Sequence, residues 1–191
     1  MNFEAEKMLT PELGRGERLL WTGRPRQGLR LRPSDWYLVP FSLLWGGFAF
    51  FWEFMVLTGG APWFFALWGV PFVLVGLYLI VGRFFADSYQ RARTYYGVTD
   101  QRVLILSGLL NRRTTSIALP NLGEVSLTER SDRSGSITFG TPNAAYPAWW
   151  GSSWPGTGYK TAPTFDLIDD VRQVYSAIQE AQRAELGRSR S

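Results

Sequence analysis

The chain of 191 residues contains neither histidine nor cysteine. Their absence excludes zinc sites built on imidazole or thiolate, disulfide frameworks, thiol nucleophiles and any Ser-His-Asp or Cys-His relay. Glycine-rich phosphate loops of the dinucleotide or P-loop type are also missing. Carboxylate-only metal sites stay open but have no positive support, and no catalytic residue, metal or cofactor is expected. Charge is missing too, but only from one place. Trp36 to Gly82 is a run of 47 residues with a single formal charge, Glu53.

What is present is arranged around that run. Residues 1–13 sum to −2, residues 14–35 to +4, the run itself to −1, residues 83–113 to +4 and residues 114–191 to −1, which gives the net +4 of the chain. All the excess positive charge brackets the apolar stretch. A nucleic-acid surface has no reason to adopt that bracketing, so nucleic acid is not an expected partner.

About 20 apolar residues suffice to cross roughly 30 Å of hydrocarbon. Trp36–Thr58 and Pro62–Gly82 each supply a span, and Gly59-Gly60-Ala61 leaves room only for a tight turn. Pro40 falls in the first turn of the first span, and Pro71 is expected to kink the second, as membrane helices tolerate. Trp36, Trp63 and Tyr78 lie near span ends, where aromatic belts form. Arg18, Arg24, Arg26, Arg30 and Arg32 precede the hairpin, Arg83, Arg91, Arg93 and Arg102 follow it, and the turn has no basic residue. The positive-inside rule then places both termini in the cytoplasm. A cleaved signal peptide is not expected, because 35 mostly polar residues precede a stretch too long for an h-region. Ser42, Gly46, Ala49 and Glu53 form one helical stripe, and Ala66, Gly69, Val73 and Gly76 another. Small residues let helices approach closely in lipid, so the two stripes should face each other. For Glu53 two roles stay open: an intramembrane functional carboxylate, or a side chain that reaches the nearby headgroups.

Beyond Arg83 the periodicity turns to that of strands. Tyr95–Thr99 and Arg102–Leu106 read as a pair, followed by Arg112–Ile117, Glu124–Arg130, Ser136–Gly140 and Phe165–Ile168. Glu17–Thr22 alternates as well, and is expected to pack on the same domain with Leu19 and Trp21 facing inward. Val171, Val174, Tyr175, Ile178 and Ala181 form the apolar stripe of a terminal helix, Asp169–Leu186, with Asp169 or Asp170 as N-cap and Gly187 as stop. Strands followed by one helix make an α+β domain with a meander. The expected boundaries are 1–35 for a basic N-terminal segment, 36–82 for the hairpin, 83–187 for the domain and 188–191 for a tail.

Four stretches carry a resemblance: Tyr96-Gly97-Val98-Thr99-Asp100-Gln101-Arg102-Val103, Ile117-Ala118-Leu119-Pro120-Asn121-Leu122, Gly135-Ser136-Ile137-Thr138-Phe139-Gly140, and Phe165-Asp166-Leu167-Ile168-Asp169-Asp170 with Val174-Tyr175. With Gly16-Glu17-Arg18-Leu19-Leu20-Trp21-Thr22-Gly23-Arg24-Pro25 they resemble the bacterial pleckstrin-homology-like membrane proteins. The resemblance implies a β-sandwich or open barrel capped by the C-terminal helix, no catalytic residues, and a place in the bacterial cytoplasmic membrane. The expected function is a non-catalytic, membrane-anchored interaction module that binds a protein partner or, weakly, anionic lipid. The alternative is an OB-like barrel serving as scaffold subunit of a membrane protease or transport complex.

Two surfaces are candidates for contact. Arg24, Arg26, Arg30, Arg32, Arg91 and Arg93 lie where a bilayer surface would attract them, at roughly 1 kcal/mol each. Residues 141–163 combine Pro and Gly with Tyr146, Trp149, Trp150, Trp154 and Tyr159. That loop has three open roles: a lid on its own sandwich, a membrane-dipping loop, or a groove for a peptide partner.

Overall fold

The computed structural model describes residues 2–28, 35–108, 112–141 and 162–188. The candidate residues Arg30, Arg32, Tyr146, Trp149, Trp150, Trp154 and Tyr159 lie outside the described residues.

The chain opens with α1 (Phe3–Leu9), which sequence patterning had not indicated, and β1 (Leu19–Gly23). Two apolar helices follow, α2 (Asp35–Thr58) and α3 (Trp63–Leu77). A π-helical turn at Tyr78–Gly82 carries α3 without interruption into α4 (Arg83–Ala92). Strands β2 (Tyr95–Thr99), β3 (Arg102–Ser107) and β4 (Arg113–Ala118), then β5 (Val125–Glu129), β6 (Gly135–Phe139) and β7 (Thr164–Ile168), lead to α5 (Val171–Arg188).

Both sheets are antiparallel, in the orders β1-β2-β3-β4 and β5-β6-β7. The edge strand of the first sheet therefore comes from before the hairpin. The domain does not begin at residue 83; the apolar helices are inserted between its first two strands. A bulge between Leu19 and Trp21 also changes the expected facing of β1. The extra residue turns Leu19 to the opposite face from Trp21, because side chains alternate along a strand. Trp21 packs inward, its ring 5.7 Å from that of Phe165. Leu19 joins Leu9, Leu104 and Leu106 on the outer face.

β3 explains why α1 exists. Val103 and Ile105 enter the core between the sheets, while Leu104 and Leu106 face away from it. A strand apolar on both faces needs two covers, and α1 supplies the second through Leu9. Gly97 makes room for it, since a Cβ there would meet Leu9 at 2.9 Å. Between the sheets, Phe165 stacks on Tyr96 at 4.6 Å and meets Phe139 edge-on at 5.0 Å. Val171, Val174, Ile178 and Ala181 of α5 complete this core. Gln182 Nε2 donates to the carbonyls of Leu119 and Leu122, which fixes the helix against the β4–β5 connection. Gly187 does not stop α5, which runs to Arg188. Nor does the Asp169 carboxylate serve the helix end, because it pairs with Arg26; the Asp170 carbonyl accepts from Gln173 and Val174 instead.

Glu17 ties the N-terminal segment to the β2–β3 turn. Arg102 Nε and Nη2 donate to its two oxygens at 2.8 Å each, Thr99 Oγ1 to Oε1 at 2.8 Å, and the Gly14 amide to Oε2 at 2.7 Å. The Arg102 guanidinium above all, then the Gly14 amide and Thr99 hydroxyl, outweigh burial and hold the Glu17 carboxyl at about 2.

α2 and the continuous helix Trp63–Ala92, made of α3, the π-helical turn and α4, are long and apolar enough to cross a membrane, and 17% and 11% of their apolar stretches are buried. The two small-residue stripes do face each other: Ser42, Gly46 and Ala49 are buried against a face that includes Gly69 and Gly76. A Cβ on Gly76 would stand 3.0 Å from the Gly46 Cα, and one on Gly46 would crowd the end of the Ile80 side chain at 2.5 Å, so the two glycines ease that approach. Glu53 does not lean away from the partner helix; its Oε2 is buried against Gly69 without a hydrogen-bond donor among the described residues. Pro40 is the sixth residue of α2, past the first turn, so its missing N–H removes one intrahelical bond.

Candidate functional site

Where the apolar helices meet the sheets, arginines meet one another's backbones and acids. α4 places Arg83, Asp87 and Arg91 on one face, one turn apart. Arg83 Nη1 contacts Asp35 Oδ1 at 3.1 Å, which joins the start of α2 to the end of the second apolar segment; the Arg83 side chain is buried and that of Asp35 nearly so. Arg91 pairs with Asp87 at 2.8 Å and donates to the carbonyls of Arg26 at 3.1 Å and Gly28 at 2.7 Å. Gln27 Nε2 returns a bond to the Arg91 carbonyl at 3.3 Å. Nε and Nη2 of Arg83 are buried without an acceptor among the described residues, and its guanidinium lies 4.6 Å from the Phe84 ring centroid.

The segment after β1 then crosses from one sheet to the other. Arg24 Nη2 donates to the Ala92 carbonyl at 2.7 Å, its guanidinium lies over the Tyr95 ring at 4.9 Å, and Nη1 pairs with Glu4. Two residues on, the Arg26 amide donates to the Leu167 carbonyl at 2.8 Å. Leu167 adopts φ 51°, a left-handed conformation rare for a branched side chain, within a strand irregular opposite β6. The Arg26 guanidinium pairs with Asp169 and Asp132, at the β7–α5 and β5–β6 turns. These bonds, to Asp169 first, raise the Arg26 pKa. The Ser134 hydroxyl first, and Arg26 with it, hold Asp132 at about 2. Arg26 thus staples the β1 side of one sheet to the β7 side of the other.

Of the six arginines assigned by sequence to a bilayer surface, the structure brings Arg24, Arg26, Arg91 and Arg93 to this one end. It gives Arg24, Arg26, Arg91 and Arg93 partners within the chain; exposed Arg93 lies 4.3 Å over the Tyr89 ring. A guanidinium already neutralised by a carboxylate adds little attraction to an anionic surface. Asp132, Asp169, Asp87 and Gln27 were not foreseen as members of this junction; nothing local in the sequence distinguishes them from other surface polar residues. Among the described residues no group of acidic side chains could hold a metal ion.

A four-stranded and a three-stranded antiparallel sheet, closed over by a C-terminal helix, define a PH-like domain; the barrel is not closed. The family model for the bacterial PH domain matches residues 46–182, and the chain belongs to that family. The match begins inside α2, so it takes in much of the hairpin as well as the strands. No curated protein and no solved structure matches the chain.

Proposed function

We propose that the protein is a non-catalytic interaction module anchored in the bacterial cytoplasmic membrane by α2 and α3, with both termini on the cytoplasmic side. One observation carries this reading. The large apolar side chains of the strand domain are mostly buried, whereas those of α2 and α3, from Phe41 to Leu77, are mostly exposed. Apolar area is worth about 25 cal/mol per Å2 when removed from water, and a hairpin this exposed is stable only with lipid around it. Membership of the bacterial PH family supports the non-catalytic role. Separate sheets with a capping helix favour this reading over an OB-like scaffold barrel.

The specific ligand is a protein rather than a lipid headgroup. Headgroup selectivity needs several cations converging on one phosphate, and Arg24, Arg26 and Arg91 are already engaged inside the junction. Lipid attraction is weak and salt-sensitive, through Arg93 and the sequence-assigned Arg30 and Arg32. The aromatic segment with Tyr146, Trp149, Trp150, Trp154 and Tyr159 is the proposed partner surface. The first test is topology: reporters inserted at Gly60 and fused after Ser191 report opposite sides of the membrane. Finding both on one side refutes the anchor.

A further inference from the structure

α4 is amphipathic in the reverse of the usual sense. Its charged residues Arg83, Asp87 and Arg91 face the protein, where they are almost fully buried. Its outward face carries Phe85, 62% exposed, and Tyr89, 48% exposed, with Arg93 one turn further on and stacked on Tyr89. A helix standing in bulk water hides its aromatics and shows its charges. An outward face of this kind calls for surroundings intermediate between hydrocarbon and water.

Geometry says which surroundings those are. The helix runs unbroken from Trp63 to Ala92, 30 residues, or about 45 Å at 1.5 Å per residue. Hydrocarbon accounts for about 30 Å, and the bilayer with its headgroups for about 40–45 Å. Phe85 stands about 5 Å beyond Gly82 along the axis, and Tyr89 about 10 Å, which is the depth of the headgroup layer. The Tyr89 ring, apolar with a polar edge, favours that layer, the apolar Phe85 ring favours its hydrocarbon side, and a long basic side chain beside them reaches phosphate.

We propose that Phe85, Tyr89 and Arg93 lie in the headgroup layer of the bilayer that the hairpin spans, so that α4 holds the PH-like domain against the membrane surface. The proposal rests on the spanning reading given above, and the test separates the two. Because the chain has no cysteine, single labels are unambiguous. Phe85→Cys, Tyr89→Cys, Gln173→Cys on exposed α5 and Phe51→Cys on exposed α2 are spin-labelled in the full chain. Each is reconstituted in phosphatidylcholine and phosphatidylglycerol vesicles, and collision with oxygen is compared with collision with a water-soluble nickel chelate.

The expected order of the oxygen-to-nickel ratio is Phe51 highest, then Phe85, then Tyr89, with Gln173 lowest. Ratios at Phe85 and Tyr89 equal to that at Gln173 overturn the proposal, as do labels shielded from both reagents, which would mean a protein covers the face. A low ratio at Phe51 instead sinks the spanning reading itself. Since the labels replace the aromatics, a second measurement keeps them. Energy transfer from a fluorophore at Arg113→Cys, at the hairpin end of β4, to a headgroup-labelled lipid is compared with and without Phe85→Ser plus Tyr89→Ser. Transfer falls in the double variant if α4 holds the domain down, and unchanged transfer overturns that role.

Discussion

Replacing Glu17 with glutamine removes one charge and almost no volume, so its effect isolates the ion pair that anchors the N-terminal segment. The Glu17 side chain is 1% exposed and its Arg102 partner 30%. A carboxyl held at about 2 rather than 4.5 corresponds to about 3 kcal/mol at 1.36 kcal/mol per pKa unit, and water at Arg102 lowers this to roughly 2–3 kcal/mol. Glu17→Gln keeps an acceptor for the Gly14 amide but leaves Arg102 without its counter-ion. Pulse proteolysis in urea, on the full chain in nanodiscs, reads the outcome. With a slope of about 1–3 kcal/mol per M, the midpoint falls by roughly 1–2 M at pH 7. The sign with pH follows from a depressed folded pKa. The stabilisation is complete above about 4.5 and is lost as pH drops toward 2, so the two proteins converge in that window. A difference as large at pH 2.5 as at pH 7, or none at pH 7, refutes the electrostatic account.

Residues 84–191 alone lack β1 and α1, and should show no dispersed amide spectrum. Joining residues 2–28 to residues 91–188 by a short glycine-serine linker restores a soluble folded domain, since the Gly28 carbonyl lies within reach of the Arg91 side chain, 2.7 Å from its Nη2. Ile178→Asp places a charge in the core where Ile178 is fully buried; truncation alone there costs about 2–5 kcal/mol. Protease should then digest the domain of this variant while its hairpin stays membrane-extracted only by detergent. Arg26→Ala costs about 1 kcal/mol or less, because its acidic partners are half-exposed or more. Arg91→Ala leaves the largely covered Asp87 and two linker carbonyls short of a donor and costs about 2–4 kcal/mol, so urea midpoints rank Arg91→Ala well below Arg26→Ala.

Elements with a strong local period are legible in the sequence itself. β2, β3, β6, β7 and α5 lie within a residue or two of where alternation or a 3.6-residue stripe placed them. α1 was not legible, because seven residues hold too few turns for a period to emerge. α4 escaped because its apolar residues face outward, the reverse of the pattern that marks a helix in water. The facing of Leu19 was wrong for a single reason, a bulge that adds one residue and that no residue type in β1 announces.

By itself the sequence determined the apolar hairpin, the run of strands and the closing helix, because each is written in neighbouring residues whose side chains share a face. Only the tertiary structure decided what those pieces do to one another. β1 pairs with β2 across the entire hairpin, and Arg26 finds its acids 106 and 143 residues away. A charge map along the chain registers each arginine as an excess cation. Coulomb attraction acts through space, and folding brings the opposite charge to within bonding distance. That is why three of the arginines assigned to a lipid surface hold the protein together instead.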